Sequence, residues 1–187
     1  RKLKGYTDSA SAGRDWNLTT AMVIQGKAGF QFMGDWAKGE FVAAGKSPGK
    51  DFLCAATPGT SDAYIFNVDS FILFKLKNIE TQKAQGYFAY AMMEERFQEH
   101  FNLNKGSIPV RTGMSMKKFD TCAQTSAADF AQTARTGTLV PSLAHGMALK
   151  PIAAASMKDV VSQFWNDANL SITDAQKKLL ALKTKPV

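Results

Sequence analysis

The 187-residue chain is long enough for one large domain or two smaller lobes, and its 45% hydrophobic content suffices for a buried core. No apolar run approaches the roughly 20 residues of a membrane-spanning helix, which argues against an integral membrane protein. The net charge of +7 is spread along the chain without the interleaved aromatic residues of single-strand binders, so no nucleic-acid partner is expected.

Hydrophobic periodicity and turn residues predict an α/β chain that is dominated by helix. Asp15 and Asp35 are expected to cap two helices, and Thr173 with Gln176 reads as a capping box for the last helix. In chain order, the predicted elements are a helix over 16–25, a strand over 28–33, a helix over 36–44, strands over 52–56 and 63–74, a helix over 79–102, an extended stretch over 108–110, a helix over 120–134, an extended stretch over 137–142, and helices over 145–166 and 173–183.

The sequence FNLNKGSIPVR (101–111) combines a helix end with a stiff loop. Gly106 is predicted to terminate the long helix, and Pro109 prevents the helix from restarting. Lys105 is therefore left on the rim between helix and loop. Local sequence alone allows two interpretations, a solvated lysine beside a helix end or a side chain aimed at a ligand.

The chain lacks the common catalytic and nucleotide-binding motifs, and Ser142 close to His145 is weak support for a nucleophile–base pair. We therefore expect no enzyme and no cofactor, with a His145-dependent hydrolase as a remote alternative. Cys54 and Cys122 form no CxxC pair, so no metal site is expected. A long-range disulfide, which would imply an oxidising compartment, and two buried thiols remain open alternatives.

Five residues at boundaries between predicted elements have the chemistry of a carbohydrate site. Aromatic faces stack on the apolar patches of a sugar ring, charged groups make strong hydrogen bonds to hydroxyls, and histidine both donates and accepts. Each also has a simpler interpretation as a core tryptophan, a turn-capping aspartate, a solvated lysine or a helix-start histidine. The five candidates are Trp16, Trp36, Asp69, Lys105 and His145.

Five ordered segments resemble the C-terminal half of the glucose/mannose-binding proteins of bacterial ABC sugar importers. These segments are MGDWAKGEF (33–41), FNVDSF (66–71), FNLNKGSIPVR (101–111), FDTCAQ (119–124) and PSLAHGMA (141–148). The resemblance implies a two-lobed, type II-like periplasmic binding protein, of which this chain would be only the C-terminal half. It also implies an absent N-terminal half as a partner and a Cys54–Cys122 disulfide.

By the same resemblance, the two tryptophans would form walls or stacking platforms, and Asp69, Lys105 and His145 would hydrogen-bond a glucose-like monosaccharide. Residues 1–68 and 138–187 would belong to the C-terminal lobe and residues 69–137 mainly to the N-terminal lobe, with Asp69 at a hinge crossing. The expected partners are the sugar and an ABC permease in the membrane. The expected location is the periplasm, although no signal peptide is recognised within this chain. A polyol or an oligosaccharide is the alternative ligand.

Overall fold

The structure, a computed structural model, describes residues 1–11 and 13–183, which form seven α-helices and one two-stranded sheet. The hydrogen bonds from Tyr64 N to Thr138 O and from Ser142 N to Phe66 O show that the two strands are parallel. The elements are α1 Trp16–Ile24, α2 Ala37–Ala43, β1 Tyr64–Phe66, α3 Ile79–Met93, α4 Glu95–Lys105, α5 Thr121–Thr136, β2 Leu139–Pro141, α6 Pro151–Asn166 and α7 Ile172–Lys183.

This mixture agrees with the α/β class predicted from the sequence, whereas the two-lobed architecture stays a prediction. Along the described ranges, no helix combines the length and apolar character needed to cross a membrane.

The predicted strands are mostly wrong. Residues 28–33 form no strand, and Phe30 and Phe32 are 91% and 69% exposed. In the segment 52–56, Phe52 makes only an isolated parallel bridge to Pro48. Of the segment 63–74, only the three residues of β1 pair with another strand. A strand requires a neighbour for its backbone groups, and in the described chain only β1 and β2 provide one for each other.

The predicted helix over 79–102 is divided into α3 and α4 at Glu94, whose ψ of 137° is extended. Side chains that follow the break in sequence donate hydrogen bonds to carbonyl groups at the end of α3. The Arg111 guanidinium donates to Met93 O at 2.9 Å, and the Gln98 amide donates to Met92 O at 2.7 Å. These contacts satisfy acceptors that an unbroken helix would have satisfied internally.

Helix α6 begins six residues later than predicted. Pro151 occupies its first turn, where the missing N–H costs nothing, and residues 145–150 lie outside the helix. His145 is therefore a loop residue and does not open a helix.

The predicted capping residues are only partly correct. Ser171 rather than Thr173 caps α7, since its Oγ accepts from Asp174 N at 3.0 Å and donates to Asp174 Oδ2 at 2.7 Å. Asp15 occupies the N-cap position of α1 but makes no cap hydrogen bond, and Asp35 lies one residue before the N-cap of α2.

The chain divides into two compact units. The first unit comprises residues 1–10 and 65–67 and the chain from Val140 onward, and the second comprises residues 11–64 and 68–139. In the first unit, α6 packs against α7. There the Arg1 guanidinium donates to Phe164 O and Asp167 O, at 2.5 and 2.6 Å. In the second unit, α2 packs against both α1 and α4, and α3 packs against α4. The assignment of residues 1–68, 69–137 and 138–187 to lobes stays a prediction.

Residues 71–74, called here the apolar segment, follow β1 without joining a sheet. Their large side chains are 50–77% exposed. The backbone N–H and C=O of Phe74 are both bonded to the Gln85 side-chain amide, at 2.8 and 2.9 Å. The backbone groups of residues 71–73 have no hydrogen-bond partner within the described ranges.

Candidate functional site at the end of α4

Residues 105–108, called here the α4 corner, lie where α4 ends against the first turn of α2. Gly106 is left-handed with φ of 90°, as expected for the glycine that closes a helix. A Cβ on Gly106 would lie 2.7 Å from Gly39 N, and a Cβ on Gly39 would lie 2.8 Å from Lys105 O. Both positions therefore require glycine, because two backbone segments approach more closely than any side chain allows.

Asp35 holds the loop that follows the α4 corner. Its Oδ2 accepts a hydrogen bond from the Ile108 backbone N–H at 3.1 Å. Burial raises the pKa of the Asp35 carboxyl above its ordinary value, although the Ile108 hydrogen bond and the charges of Lys38 and Lys105 partly oppose this shift. From the sequence, Asp35 is expected only as a helix cap, because its contact with a residue 73 positions away leaves no local signal.

The structure brings two of the predicted ligand residues together at this corner. Lys105 Nζ donates to Asp69 Oδ2, and the side chains are 31% and 70% exposed. The Lys105 ammonium also lies 5.8 Å from the centre of the Phe101 ring. The pair therefore presents a donor and an acceptor to solvent on one side of a fixed backbone.

A second ion pair, which sequence reasoning missed, lies beneath the corner. Lys38 is only 5% exposed, and its Nζ donates to Asp120 Oδ2 at 2.7 Å. Asp120 is the N-cap residue of α5, and its Oδ1 accepts from Ala123 N at 2.9 Å. Burial by itself raises the pKa of the Asp120 carboxyl, but the hydrogen bonds from Lys38 and Ala123 outweigh it and hold this pKa below its ordinary value.

The two tryptophans occupy different environments at the starts of neighbouring helices. Trp16 is the first residue of α1 and is 41% exposed, while its carbonyl accepts from the Gln31 amide at 3.2 Å. Trp36 is half-buried at the N-cap of α2. Its ring covers Gly34, since a Cβ there would lie 2.1 Å from Trp36 Cζ3. One face of Trp36 is thus already packed against its own chain.

His145 belongs to the first unit, whereas the other four candidate residues belong to the second. It is exposed, and its Nδ1 is 2.8 Å from the Oγ of Ser142, which is 4% exposed. The buried hydroxyl orients the imidazole of a loop residue. Ser142 and His145 are the two residues whose closeness in sequence gave weak support for a nucleophile–base pair.

The disulfide implied by the family resemblance is confirmed in the structure. Cys54 and Cys122 are joined with a Cα–Cα distance of 5.6 Å, which links the loop before β1 to the first turn of α5. Within the described part of the chain, no group of three or more His, Cys, Asp or Glu side chains could hold a metal ion.

Comparison with known proteins gives matches over almost the whole chain. The "Probable sugar-binding periplasmic protein" of Brucella suis is 47% identical over 180 residues, which is 96% of this chain and 42% of the relative. The protein of the same name from Rhizobium meliloti is 44% identical over 180 residues, 96% of this chain and 43% of the relative. An "Uncharacterized ABC transporter extracellular-binding protein" of Pyrococcus horikoshii is 31% identical over 190 residues, 98% of this chain and 42% of the relative.

The chain thus spans about two-fifths of the length of the curated relatives it matches. No protein-family model matches it. The names of these relatives describe binding and not catalysis, which supports the prediction that the chain is not an enzyme. They also support the coarser part of the family resemblance, a similarity to sugar-binding and ABC-transporter proteins, but they do not specify glucose or mannose.

Proposed function

We propose that this chain is part of a periplasmic protein that binds a glucose-like monosaccharide and delivers it to an ABC permease. The exposed Lys105–Asp69 pair carries the proposal, because it joins two side chains that the sequence singles out as sugar ligands. The names of the relatives support the class of function. The choice of a monosaccharide rests on the resemblance of the five ordered segments.

The chemistry of the pair suits a hydroxyl-rich ligand. The ammonium of Lys105 offers three donors and the carboxylate of Asp69 accepts, so a sugar hydroxyl can donate to one group and accept from the other. Hydrogen bonds to charged groups are about twice as strong as neutral ones. Trp16 and Trp36 would supply aromatic surface, and His145 a further donor or acceptor. Ser142 would orient the His145 imidazole through its contact with Nδ1.

The complete binding site would need the parts of the longer protein that correspond to the rest of the relatives. In a two-lobed protein, closure around the sugar follows from higher ligand affinity in the closed state. We propose residues 1–68 and 138–187 for one lobe and residues 69–137 mainly for the other. The permease would recognise the closed form in the periplasm.

A chimaera tests this proposal. The chain replaces the matching region of the Brucella suis relative, and isothermal titration measures binding of glucose, mannose, a polyol and a disaccharide. We expect glucose binding that Lys105→Met weakens about tenfold or more, because a hydrogen bond to a charged group is lost. Lys83→Met is the matched control, since Lys83 forms an exposed ion pair with Glu80 on α3.

Two variants test the role of His145 in the site. His145→Ala should weaken glucose binding, whereas His100→Ala, at an exposed position on α4, should not. A chimaera that binds no sugar, while the unmodified relative does, would refute the proposal. Binding of only the polyol or the disaccharide would replace the monosaccharide with that ligand, and equal affinities of the Lys105 and Lys83 variants would remove Lys105 from the site.

A further inference from the structure

We propose that the ion pair between the buried Lys38 and the half-buried Asp120 is a positioning device that fixes Lys105 for the ligand. The inference deepens the proposed function and rests on it. It assigns Lys38 and Asp120 no ligand contact, because Lys38 is buried and its ammonium is directed to the carboxylate of Asp120.

Lys38 contacts the α4 corner and α5 with the two ends of one side chain. At the near end, its Cβ is 3.1 Å from the point where a Cβ on Gly106 would lie. At the far end, its Nζ is 2.7 Å from Asp120 Oδ2. The base of the Lys38 side chain thus packs against Gly106, the residue that follows Lys105, while its charge is held by the N-cap residue of α5.

Asp120 is fixed on its own side in two ways. Its second carboxylate oxygen accepts from Ala123 N at 2.9 Å, which ties it to the first turn of α5. Two residues further on, Cys122 is bonded to Cys54. The carboxylate that receives Lys38 is therefore anchored by a helix cap and by a covalent cross-link.

The position of α2 determines the position of the Lys105 backbone. At Gly39 and Gly106 the backbones of α2 and the α4 corner are in direct contact, with no room for a side chain between them. A buried lysine without its carboxylate would be strongly unfavourable, so Lys38 keeps α2 in register with α5. Displacement of α2 would release the α4 corner and, with it, the direction of the Lys105 side chain toward Asp69.

Amide hydrogen exchange on the 187-residue chain tests the positioning without any sugar. The Ile108 N–H reports the corner through its bond to Asp35, and the Gly137 N–H, bonded to Thr133 O at the end of α5, is the internal reference. We expect Lys38→Met to speed Ile108 exchange about tenfold or more relative to Gly137, and Lys38→Arg to restore much of the protection. A merely stabilising role would change both amides equally, and that outcome would overturn the inference.

A double-mutant cycle on the chimaera tests the link to binding. Lys38→Met should weaken glucose binding several-fold in the parent but less than about twofold in the Lys105→Met background, because the positioned group is then absent. Equal losses in both backgrounds would overturn the inference, and Lys83→Met is the control. Absence of sugar binding by the parent chimaera would refute the proposed function. In that case the Ile108 and Gly137 exchange rates would still test whether Lys38 positions the α4 corner.

Discussion

The α4 corner and the apolar segment lie in the same unit of the molecule, but the corner finds more of its packing and hydrogen-bond contacts within the described chain. At the corner, a carboxylate accepts from the Ile108 N–H and two glycines bring the backbones of α2 and α4 together. In the apolar segment, large side chains are at least half exposed, and the backbone of residues 71–73 has no partner in the described structure. The corner is thus completed by contacts within this chain, whereas the apolar segment is not.

Loss of the disulfide should destabilise the unit that contains the α4 corner more than the other two changes described below. The Cys54–Cys122 bond spans 68 residues, and the chain-entropy model assigns a stabilisation of about 4 kcal/mol to a loop of that length. Urea unfolding of a Cys54→Ser, Cys122→Ser variant under oxidising conditions measures the loss. If the free energy of unfolding fell by less than about 1 kcal/mol, the expected contribution of the bond would be contradicted.

Gly106→Ala should lower the free energy of unfolding less than loss of the disulfide does. It should lower it more than an alanine does at another glycine of similar conformation. Gly106→Ala adds a methyl group 2.7 Å from Gly39 N in a left-handed conformation, for which we expect about 3 kcal/mol. Gly137, with φ of 77° and open space around it, is the matched control and should lose about 1 kcal/mol. Equal losses in the two variants would show that the close approach of α2 to α4 contributes nothing.

A charge in the apolar segment should have the smallest effect on stability and a clear effect on surface hydrophobicity. Ile72 is 77% exposed, so Ile72→Lys should change the free energy of unfolding by no more than about 0.5 kcal/mol. Fluorescence of the dye anilinonaphthalene sulfonate should fall, since the dye binds clustered apolar side chains. Leu180→Lys, at a residue of α7 that is 64% exposed, should leave the fluorescence nearly unchanged. A reduced signal in both variants alike would disprove the clustering.

Local chemistry made some features predictable. Gly106 ends α4 as the sequence indicated, and Asp120 caps α5 where a helix start was expected, because both effects act within one helical turn. The pairing of Lys105 with Asp69, two residues chosen separately as candidates, crosses 36 positions of sequence, so the periodicity of each element alone could not show it. The ligand roles of the five candidate residues stay predictions.

Other features depend on partners that no sequence window contains. The short run 28–33, bounded by Gly26 and Gly34, predicts a strand, but a strand also needs a neighbour, and none pairs with it in the described chain. The break at Glu94 is compensated by Arg111, which lies beyond the end of α4. Lys38 gave no signal because lysine is typical of a solvated helix face, and only the fold places a carboxylate beside it.

The Gln85 amide that bonds both backbone groups of Phe74 takes the place of the N–H and C=O of one residue in a neighbouring antiparallel strand. A side-chain amide can do this because its donor and acceptor lie side by side, like the N–H and C=O of one residue in an extended strand. A glutamate at this position would keep the acceptor and lose the donor. Within the apolar segment, the backbone groups without a hydrogen-bond partner are therefore those of residues 71–73 in the described structure.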